Sequence, residues 1–312
     1  MLRMNQTEAE DHTTAPPAPP FTSQEIAWLG WAPLLVLPAA TIAVRSRLDP
    51  WCFMWVLAFA IFFGCKWQTW WECRRVADAG IGRTLGYLFL WPGMDAETFL
   101  NPGRLAQCPE LKEWIWASVK TASGAVLLWG IVRRLPAGSD MVAGWVGMLG
   151  IILVLHFGTF HIVSLVWRSA GVDARPIMQA PLSATSLSDF WGRRWNLGFR
   201  QLTHRLIFQP VRIRGGLALA ILLSFFASGV IHDLVISLPA RGGYGLPTGY
   251  FVLQGLAVLF ERSPLGKEVG LSSGIRGWLF ALICAGTPAF LLFHPLFVRG
   301  VILPFLHVIG AR

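Results

Sequence analysis

Long apolar runs constrain this chain more than any other feature. Seven of them are compatible with membrane spans: 27–44, 51–71, 117–132, 141–167, 215–238, 246–260 and 276–294. A weaker eighth run, 295–309, is interrupted by Arg299 and two prolines. A helix rises about 1.5 Å per residue, so roughly 20 residues cross a hydrocarbon core. The sequence therefore predicts an all-α, polytopic integral membrane protein with about eight transmembrane helices, seven to nine being allowed.

Composition supports a membrane location and argues against a nucleic-acid partner. Hydrophobic residues make up 54% of the chain and charged residues only 14%, whereas soluble domains carry about 25% charged residues. The net charge is +9, but the basic residues lie between the apolar runs rather than in one soluble basic domain. We therefore interpret this charge as a signal of topology and of contact with lipid headgroups, with no nucleic acid bound.

The distribution of basic residues predicts an orientation. If the N-terminus is cytoplasmic, 18 basic residues lie on the inside and 7 on the outside, as the positive-inside rule requires. The connection 168–214 is then cytoplasmic. Arg outnumbers Lys 22 to 4, which favours a GC-rich bacterial genome. The predicted location is the bacterial plasma membrane, with the endoplasmic reticulum as the alternative.

Two parts of the chain are distinguished. Residues 1–26 contain acidic residues and the sequence APPAPP at 15–20, which is typical of a disordered tail. Residues 27–312 form the predicted multi-span domain. The five cysteines are scattered without zinc-like spacing, so no metal site is predicted.

An ionisable side chain lies inside the apolar run 215–238. His232 follows Ser224 and Ser228 at intervals of four residues, so the three side chains share one face of a helix. Gly229 allows a neighbouring backbone to approach closely, which predicts that this face packs inward. Asp233 points about 100° away from His232, so a carboxylate–imidazole pair within this helix is not expected. A charged group inside a span is costly, and His232 is a candidate functional residue.

The segment 183–212 is rich in aromatic and basic residues and is too polar to cross the membrane. A helical spacing of four residues predicts an ion pair between Asp189 and Arg193 and an aromatic pair between Trp191 and Trp195. On composition alone, an interfacial helix held by Trp and Arg at the headgroups is the favoured interpretation of this segment.

Two motifs resemble a known family. DFWGRRWN at 189–196 and SGVIHD at 228–233 are similar to motifs of the wax-synthase branch of the membrane-bound O-acyltransferases. In that family the Asn of the first motif and the His of the second are the functional polar residues, which correspond to Asn196 and His232 here. Two further stretches, YLFLWPGMD at 87–95 and FHPLFVRGVILPF at 293–305, resemble bacterial members. Asp233 stands where plant members more often carry Glu.

The resemblance implies spans that enclose a buried catalytic chamber. It also implies acyl transfer from acyl-CoA, as co-substrate and without a further cofactor, to the hydroxyl of a lipidic alcohol. His232 would act as general base, and Asn196 would bind the thioester carbonyl or orient the acceptor. The same motifs supply these candidate substrate-binding residues: Trp191, Arg193, Arg194, Trp195, Ser228 and Asp233. Arg193, Arg194 and the nearby Arg200 suit CoA phosphates, but they suit anionic lipid headgroups equally well.

A transporter or channel is the alternative from a different functional class. There His232, His156 and His161 would line a polar pathway. His156 and His161 are five residues apart, so a regular helix does not bring them together as an i, i+4 metal pair. The sequence leaves the acceptor alcohol, the acyl-chain length and the oligomeric state open.

Overall fold

The computed structural model describes residues 23–74 and 79–312, and across these residues the chain is helical, with no β-strand. The main helices are, in chain order, α1 Ser23–Ala43, α2 Pro50–Cys73, α3 Ile81–Leu90, α4 Ala96–Leu100, α5 Leu111–Arg134, α6 Asp140–Ser169, α7 187–194, α8 Leu197–Ala240, α9 Leu246–Arg262, α10 Pro264–Glu268, α11 Gly274–Leu292 and α12 Pro295–Val308.

The predicted fold class is confirmed. Five helices of the described residues are long and apolar enough to cross a membrane: α2, α5, α6, α8 and α11. Two shorter apolar helices, Trp28–Ala43 and Pro295–Val308, match the first and the last predicted runs. The 17-residue helix α9 covers the remaining run. The count of eight crossings stays a prediction. Most of the predicted tail, residues 1–22, lies outside the described residues, and α1 begins at Ser23.

A glycine divides the long helix α8. Gly216 has φ 81° and ψ 176°, a backbone conformation that is essentially restricted to glycine. The helix axis therefore breaks there, between an N-terminal part, 197–215, and an apolar part, 217–240. The break coincides with the start of the apolar run that the sequence predicts at 215. It allows the two parts of α8 to face each other across a common space.

The apolar part of α8 packs closely on the start of α9. A Cβ atom added to Gly229 would lie 2.6 Å from the Cα atom of Thr248, which is closer than any real contact. The expected close approach at Gly229 is thus confirmed, and the neighbouring backbone is that of α9. This packing fixes the side chains that follow Thr248 on α9 against the face of α8 that carries His232.

A buried lysine holds the connection after α3 in place. Lys66 on α2 is fully buried, donates a hydrogen bond to the carbonyl of Gly93 (2.6 Å) and lies 3.1 Å from the centre of the Tyr87 ring. Gly93 in turn lies beside Gly198, near the start of α8, where an added Cβ would be 3.5 Å from the Gly93 Cα. The stretch 87–95 therefore supports the first turn of α8 from behind.

Candidate active site

A cavity of about 280 Å³ lies between α7, α8 and α9. Its wall combines aromatic and aliphatic side chains with a few polar groups. The lining residues are Ser188, Trp191, Gly192, Trp195, Asn196, Phe199, Arg200, Thr203, His204, Phe208, Ile221, Ser224, Phe225, Ser228, His232, Phe251, Val258 and Arg262. A largely apolar pocket with a few converging polar groups is the usual form of a site for a lipid-like or drug-sized ligand.

His232 lines this cavity with a defined tautomer. Its Nδ1 atom lies 2.7 Å from the backbone carbonyl oxygen of Ser228. A carbonyl oxygen can only accept, so Nδ1 carries the proton and donates it. In the neutral imidazole, Nε2 then has the free lone pair that a general base needs. The ring of Phe251 packs against the imidazole with a centroid distance of 4.4 Å and restricts its rotation.

Asn196 lies at the point where α7 ends and α8 begins. Its backbone is left-handed, with φ 42° and ψ 61°, and its Oδ1 atom accepts a hydrogen bond from the backbone N–H of Phe199 (3.3 Å). Asn tolerates this conformation better than most residues, and it is a favoured helix N-cap. Because Oδ1 is engaged in the cap, Nδ2–H₂ is the part of the amide available to a bound carbonyl.

Two carboxylates hold α7 in its position. Glu261 on α9 is almost fully buried and accepts hydrogen bonds from the backbone N–H groups of Leu187 (2.6 Å) and Ser188 (3.2 Å), which have no acceptor within α7 because they lie at its start. This side chain was not singled out from the sequence. A charged residue at the end of a predicted span is normally solvated, and only the packing of α9 against α7 reveals its role.

Asp189 supplies the second carboxylate. Its oxygens accept hydrogen bonds from Arg193 (2.8 Å) and Arg194 (2.6 Å), and the backbone N–H of Thr185 also donates to it (3.2 Å). Burial alone would raise the pKa of Asp189, but the hydrogen bonds from Arg194, Thr185 and Arg193, with the charge of Arg194, outweigh burial and lower it. The predicted ion pair between Asp189 and Arg193 is confirmed.

The predicted aromatic pair takes a different form. Residues 190–194 form a π-helical turn, in which the N–H of Trp195 bonds to the carbonyl of Phe190 (2.9 Å). This turn places residues five apart on the same side, so Trp195 stacks on Phe190, with 5.5 Å between ring centroids and 17° between planes. The expectation that Trp195 pairs with Trp191 is wrong, because it assumed a regular helix. π-Helical turns are frequent at functional sites.

Trp191 forms the aromatic wall beside the imidazole. Its ring lies 5.8 Å from those of Phe225 and Phe251. Its indole N–H donates to Oε1 of Gln254 (3.2 Å), and Gln254 donates in turn to the backbone carbonyl of Cys284 on α11 (2.8 Å). A buried indole N–H needs such a partner. The wall is therefore tied to two neighbouring helices.

The sequence-predicted site residues fall into two groups. Those that line the cavity are His232, Asn196, Trp191, Trp195 and Ser228; those that do not are Arg193, Arg194 and Asp233. Arg193 is directed outward, with a side chain that is 77% exposed. Asp233 turns toward the start of α9. The arginines on the cavity wall are Arg200, the third arginine considered for the CoA phosphates, and Arg262, which lies beyond both motifs.

The two remaining histidines of α6 lie elsewhere. His161 has its Nδ1 atom 3.1 Å from the ammonium of Lys120 on α5, and His156 packs against Phe160. Neither residue lines the cavity that contains His232. Among the described residues, no group of three or more His, Cys, Asp or Glu side chains is arranged to hold a metal ion.

Comparison with known proteins bears on the part of the chain that forms the site. Residues 174–253 match the family model described as membrane bound O-acyl transferase family. The "Long-chain-alcohol O-fatty-acyltransferase" of Simmondsia chinensis is 33% identical over 144 residues, which is 41% of this chain and 40% of the relative. The "Probable long-chain-alcohol O-fatty-acyltransferase 9" of Arabidopsis thaliana is 33% identical over 156 residues, 44% of each chain.

The matched segment contains both candidate catalytic residues of the cavity. It runs from the connection between α6 and α7 to the middle of α9, and it includes Asn196 and His232. The chain spans less than half the length of the curated relatives it matches. The resemblance that the motifs indicate is confirmed: this integral membrane protein carries a segment of the membrane-bound O-acyltransferase type, similar to the wax-synthase branch.

Proposed function

We propose that this chain transfers a fatty acyl group from acyl-CoA to the hydroxyl of a lipidic alcohol within the membrane. One observation carries the proposal: an imidazole whose Nδ1 donates to a backbone carbonyl, which leaves Nε2 for the substrate, and an amide whose Oδ1 is engaged in a helix cap line the same largely apolar cavity. The names of the relatives, long-chain-alcohol O-fatty-acyltransferases, support the same acceptor class.

His232 suits deprotonation of the alcohol, and Asn196 suits stabilisation of the thioester carbonyl oxygen. Nε2 of His232 takes the proton of the alcohol as its oxygen attacks the thioester carbonyl carbon, and a C–O bond forms. Nδ2–H₂ of Asn196 donates to the carbonyl oxygen, which becomes negatively charged in the tetrahedral intermediate. The C–S bond then breaks, and the CoA thiolate takes the proton back from Nε2. The Ser228 carbonyl holds Nδ1–H throughout and stabilises the transient imidazolium.

The acyl donor is anionic at one end, and the cavity wall carries matching charges. Arg200 and Arg262 line the cavity and are themselves exposed to solvent, which assigns them to its open side. Arg262 is held there by a hydrogen bond to the Ser188 hydroxyl (3.0 Å). Guanidinium groups bind phosphate in a bidentate manner. We therefore assign the CoA phosphates to these two arginines, with the acyl chain directed toward Phe225 and Phe251.

The basic connection 168–214 contains Arg200, so the open side would face the cytosol, where acyl-CoA is available. A bacterial plasma membrane and an endoplasmic reticulum membrane both satisfy this requirement. Trp191, Trp195 and Ser228 would contact the acyl chain or the alcohol, since all three line the cavity wall.

Purified protein in detergent tests the proposal. Wild-type protein incubated with radiolabelled acyl-CoA and a panel of primary alcohols should form labelled neutral esters, and His232→Ala should lower kcat by a factor of about 10²–10⁴. His307→Ala is the matched control, because Nδ1 of His307 makes the same contact with a backbone carbonyl four residues earlier (Leu303, 2.7 Å) but does not line the cavity. His307→Ala should turn over at the wild-type rate.

Detergent also separates this function from transport. An acyltransferase needs no sealed compartment, whereas transport requires two. Absence of ester with every alcohol tested, or full turnover by His232→Ala, contradicts the proposal. In the first case, reconstitution into sealed vesicles would test whether His232 belongs to a permeation pathway instead.

A further inference from the structure

The carboxylate next to His232 is engaged by a different helix. Oδ1 of Asp233 accepts hydrogen bonds from the backbone N–H of Gly245 (2.9 Å) and the hydroxyl of Ser237 (2.8 Å). Oδ2 accepts from the backbone N–H of Thr248 (3.1 Å) and from its hydroxyl. Gly245 directly precedes α9 and Thr248 lies in its first turn, where the N–H groups have no partner within the helix. Asp233 thus caps α9 from α8, where a negative charge also interacts favourably with the helix dipole.

The capped end of α9 carries the side chain that contacts the imidazole. Thr248 packs on Gly229 of α8 so closely that no side chain would fit between them. Phe251 follows one helical turn after Thr248, and its ring lies 4.4 Å from that of His232. The position of the Phe251 ring is therefore set by the contacts of Thr248 with Gly229 and Asp233.

A second layer supports the same carboxylate. His294, at the start of α12, is 1% exposed, and its Nδ1 accepts from the N–H of Phe297 (3.2 Å). Its Nε2 then bears the proton and lies 3.5 Å from the Ser237 hydroxyl, which donates to Asp233. Residues of α8 and α9 thus bond to one half-buried carboxylate, and α12 supports it through Ser237, whereas Nδ1 of His232 is satisfied by the Ser228 carbonyl.

We propose that Asp233 is a positioning residue: by capping α9 through Thr248 it holds Phe251 against His232 and so fixes the orientation of the imidazole. The inference rests on the proposed function, in which Nε2 of His232 is the base. It assigns no proton transfer and no substrate contact to Asp233. A base held in the wrong orientation slows the chemical step without weakening binding of the donor, so the effect should appear in kcat and not in the KM for acyl-CoA.

Thr248→Val is the decisive variant because it removes one donor to Asp233 and leaves both the carboxylate charge and the side-chain shape. It should lower kcat by about tenfold to a hundredfold, with the KM for acyl-CoA and the pH profile of kcat unchanged. Thr248→Ser keeps the hydroxyl and should restore most of kcat. The control Thr41→Val, at a hydroxyl that bonds within α1 (to Leu37 O, 2.9 Å), should behave as wild type.

A double-mutant cycle tests whether Asp233 acts on His232 through α9. Because Asp233→Asn and Thr248→Val disrupt the same contact, the double variant should lose much less than the product of the two single losses. Rates are expressed per folded protein, measured by thermal unfolding in detergent. Ser237→Ala, which removes a different donor to Asp233, provides a milder second variant if Thr248→Val does not fold, and it should lower kcat in the same way.

Several outcomes overturn the inference. One is wild-type kcat in Thr248→Val together with loss of activity in Asp233→Asn, which would mean that the carboxylate acts directly on the reaction. Another is a loss of folded protein with unchanged kcat per folded molecule, which would mean a purely structural role. In both cases the wild type and His232→Ala still behave as the acyl-transfer proposal requires, whereas an inactive wild type overturns both proposals.

Discussion

Asn196 and His232 line one cavity although a single long helix, α8, begins directly after the first residue and carries the second. A straight helix over that length would hold them about 50 Å apart. They line the same cavity because α8 breaks at Gly216, where φ is 81° and ψ is 176°. The catalytic geometry proposed here therefore depends on a glycine that does not line the cavity.

Gly216→Ala should disrupt the site although Gly216 does not line the cavity. A Cβ atom at Gly216 meets nothing within 4 Å, so the cost is conformational, about 1–3 kcal/mol for a residue forced into this region. If the chain relieves that strain by straightening, Asn196 and His232 separate. We expect a lower unfolding temperature and a loss of kcat, measured in detergent with the ester-forming assay.

Gly215→Ala is the matched control for this change. An added Cβ there would meet only the end of the Leu219 side chain (2.6 Å), which can rotate away, and no positive φ is involved. The variant should therefore retain both stability and turnover. Equal losses in the two variants would show that the break in α8 is not what matters.

Asn196→Asp separates the amide N–H from the helix cap. The aspartate retains an acceptor for the Phe199 N–H and tolerates a left-handed backbone, but it replaces Nδ2–H₂ with an oxygen. The protein should fold normally while kcat falls by a factor of about 10²–10³, the usual cost of losing an oxyanion donor. Asn196→Ala is less informative because it also removes the cap and strains the backbone.

The equivalent change at Asn101 is a suitable control. The Oδ1 atom of Asn101 accepts from the N–H of Gly103 (2.8 Å) in an exposed turn away from the cavity. Asn101→Asp should leave kcat at the wild-type value. Full activity in Asn196→Asp, by contrast, would remove the assigned role of the amide in binding the carbonyl.

Arg200→Gln and Arg262→Gln should raise the KM for acyl-CoA by about tenfold to a hundredfold each, the cost of a charge-assisted hydrogen bond. The effect should shrink with an S-acyl pantetheine donor, which lacks the nucleotide phosphates. Arg193→Gln serves as control, because its side chain is 77% exposed and pairs with Asp189. A higher KM in Arg193→Gln alone would instead assign the phosphates to the arginines of the FWGRRW motif.

The sequence predicts the local parts of the site and misses what depends on distant packing. Helical periodicity places Ser224, Ser228 and His232 on one face, and all three line the cavity. It also separates Asp233 from His232, and that carboxylate indeed turns to α9. These inferences hold because they need only one regular helix.

Longer-range features could not be derived in the same way. A Gly-Gly pair at 215–216 marks a possible break, but the direction in which the chain continues depends on φ of Gly216. The capping of α7 by Glu261 joins residues that are distant in sequence. The pairing of both Arg193 and Arg194 with Asp189 arises from the π-helical turn. The motifs identify Asn196 and His232, but they do not show which hydrogen-bonding atoms of these side chains are already engaged within the protein.

The Asp189 cluster gives a pH-dependent prediction. The folded-state pKa of Asp189 is lowered, so its ionisation stabilises the folded protein. That contribution is fully present above the unfolded pKa of about 3.9 and is lost as the pH falls through the folded value. Asp189→Asn should therefore lower the unfolding temperature at pH 7, and the difference from wild type should shrink as the pH is lowered toward about 3.

The two arginine partners of Asp189 should contribute unequally to this effect. The Arg194 side chain is 26% exposed, whereas that of Arg193 is 77% exposed, and an exposed ion pair contributes little. Arg194→Gln should thus remove most of the pH-dependent stability, and Arg193→Gln little of it, in thermal unfolding from pH 7 to pH 3. Because α7 carries Trp191 and leads into Asn196, kcat should fall with Arg194→Gln as well. Equal pH profiles for wild type and Asp189→Asn would mean that the folded and unfolded states bind this proton equally.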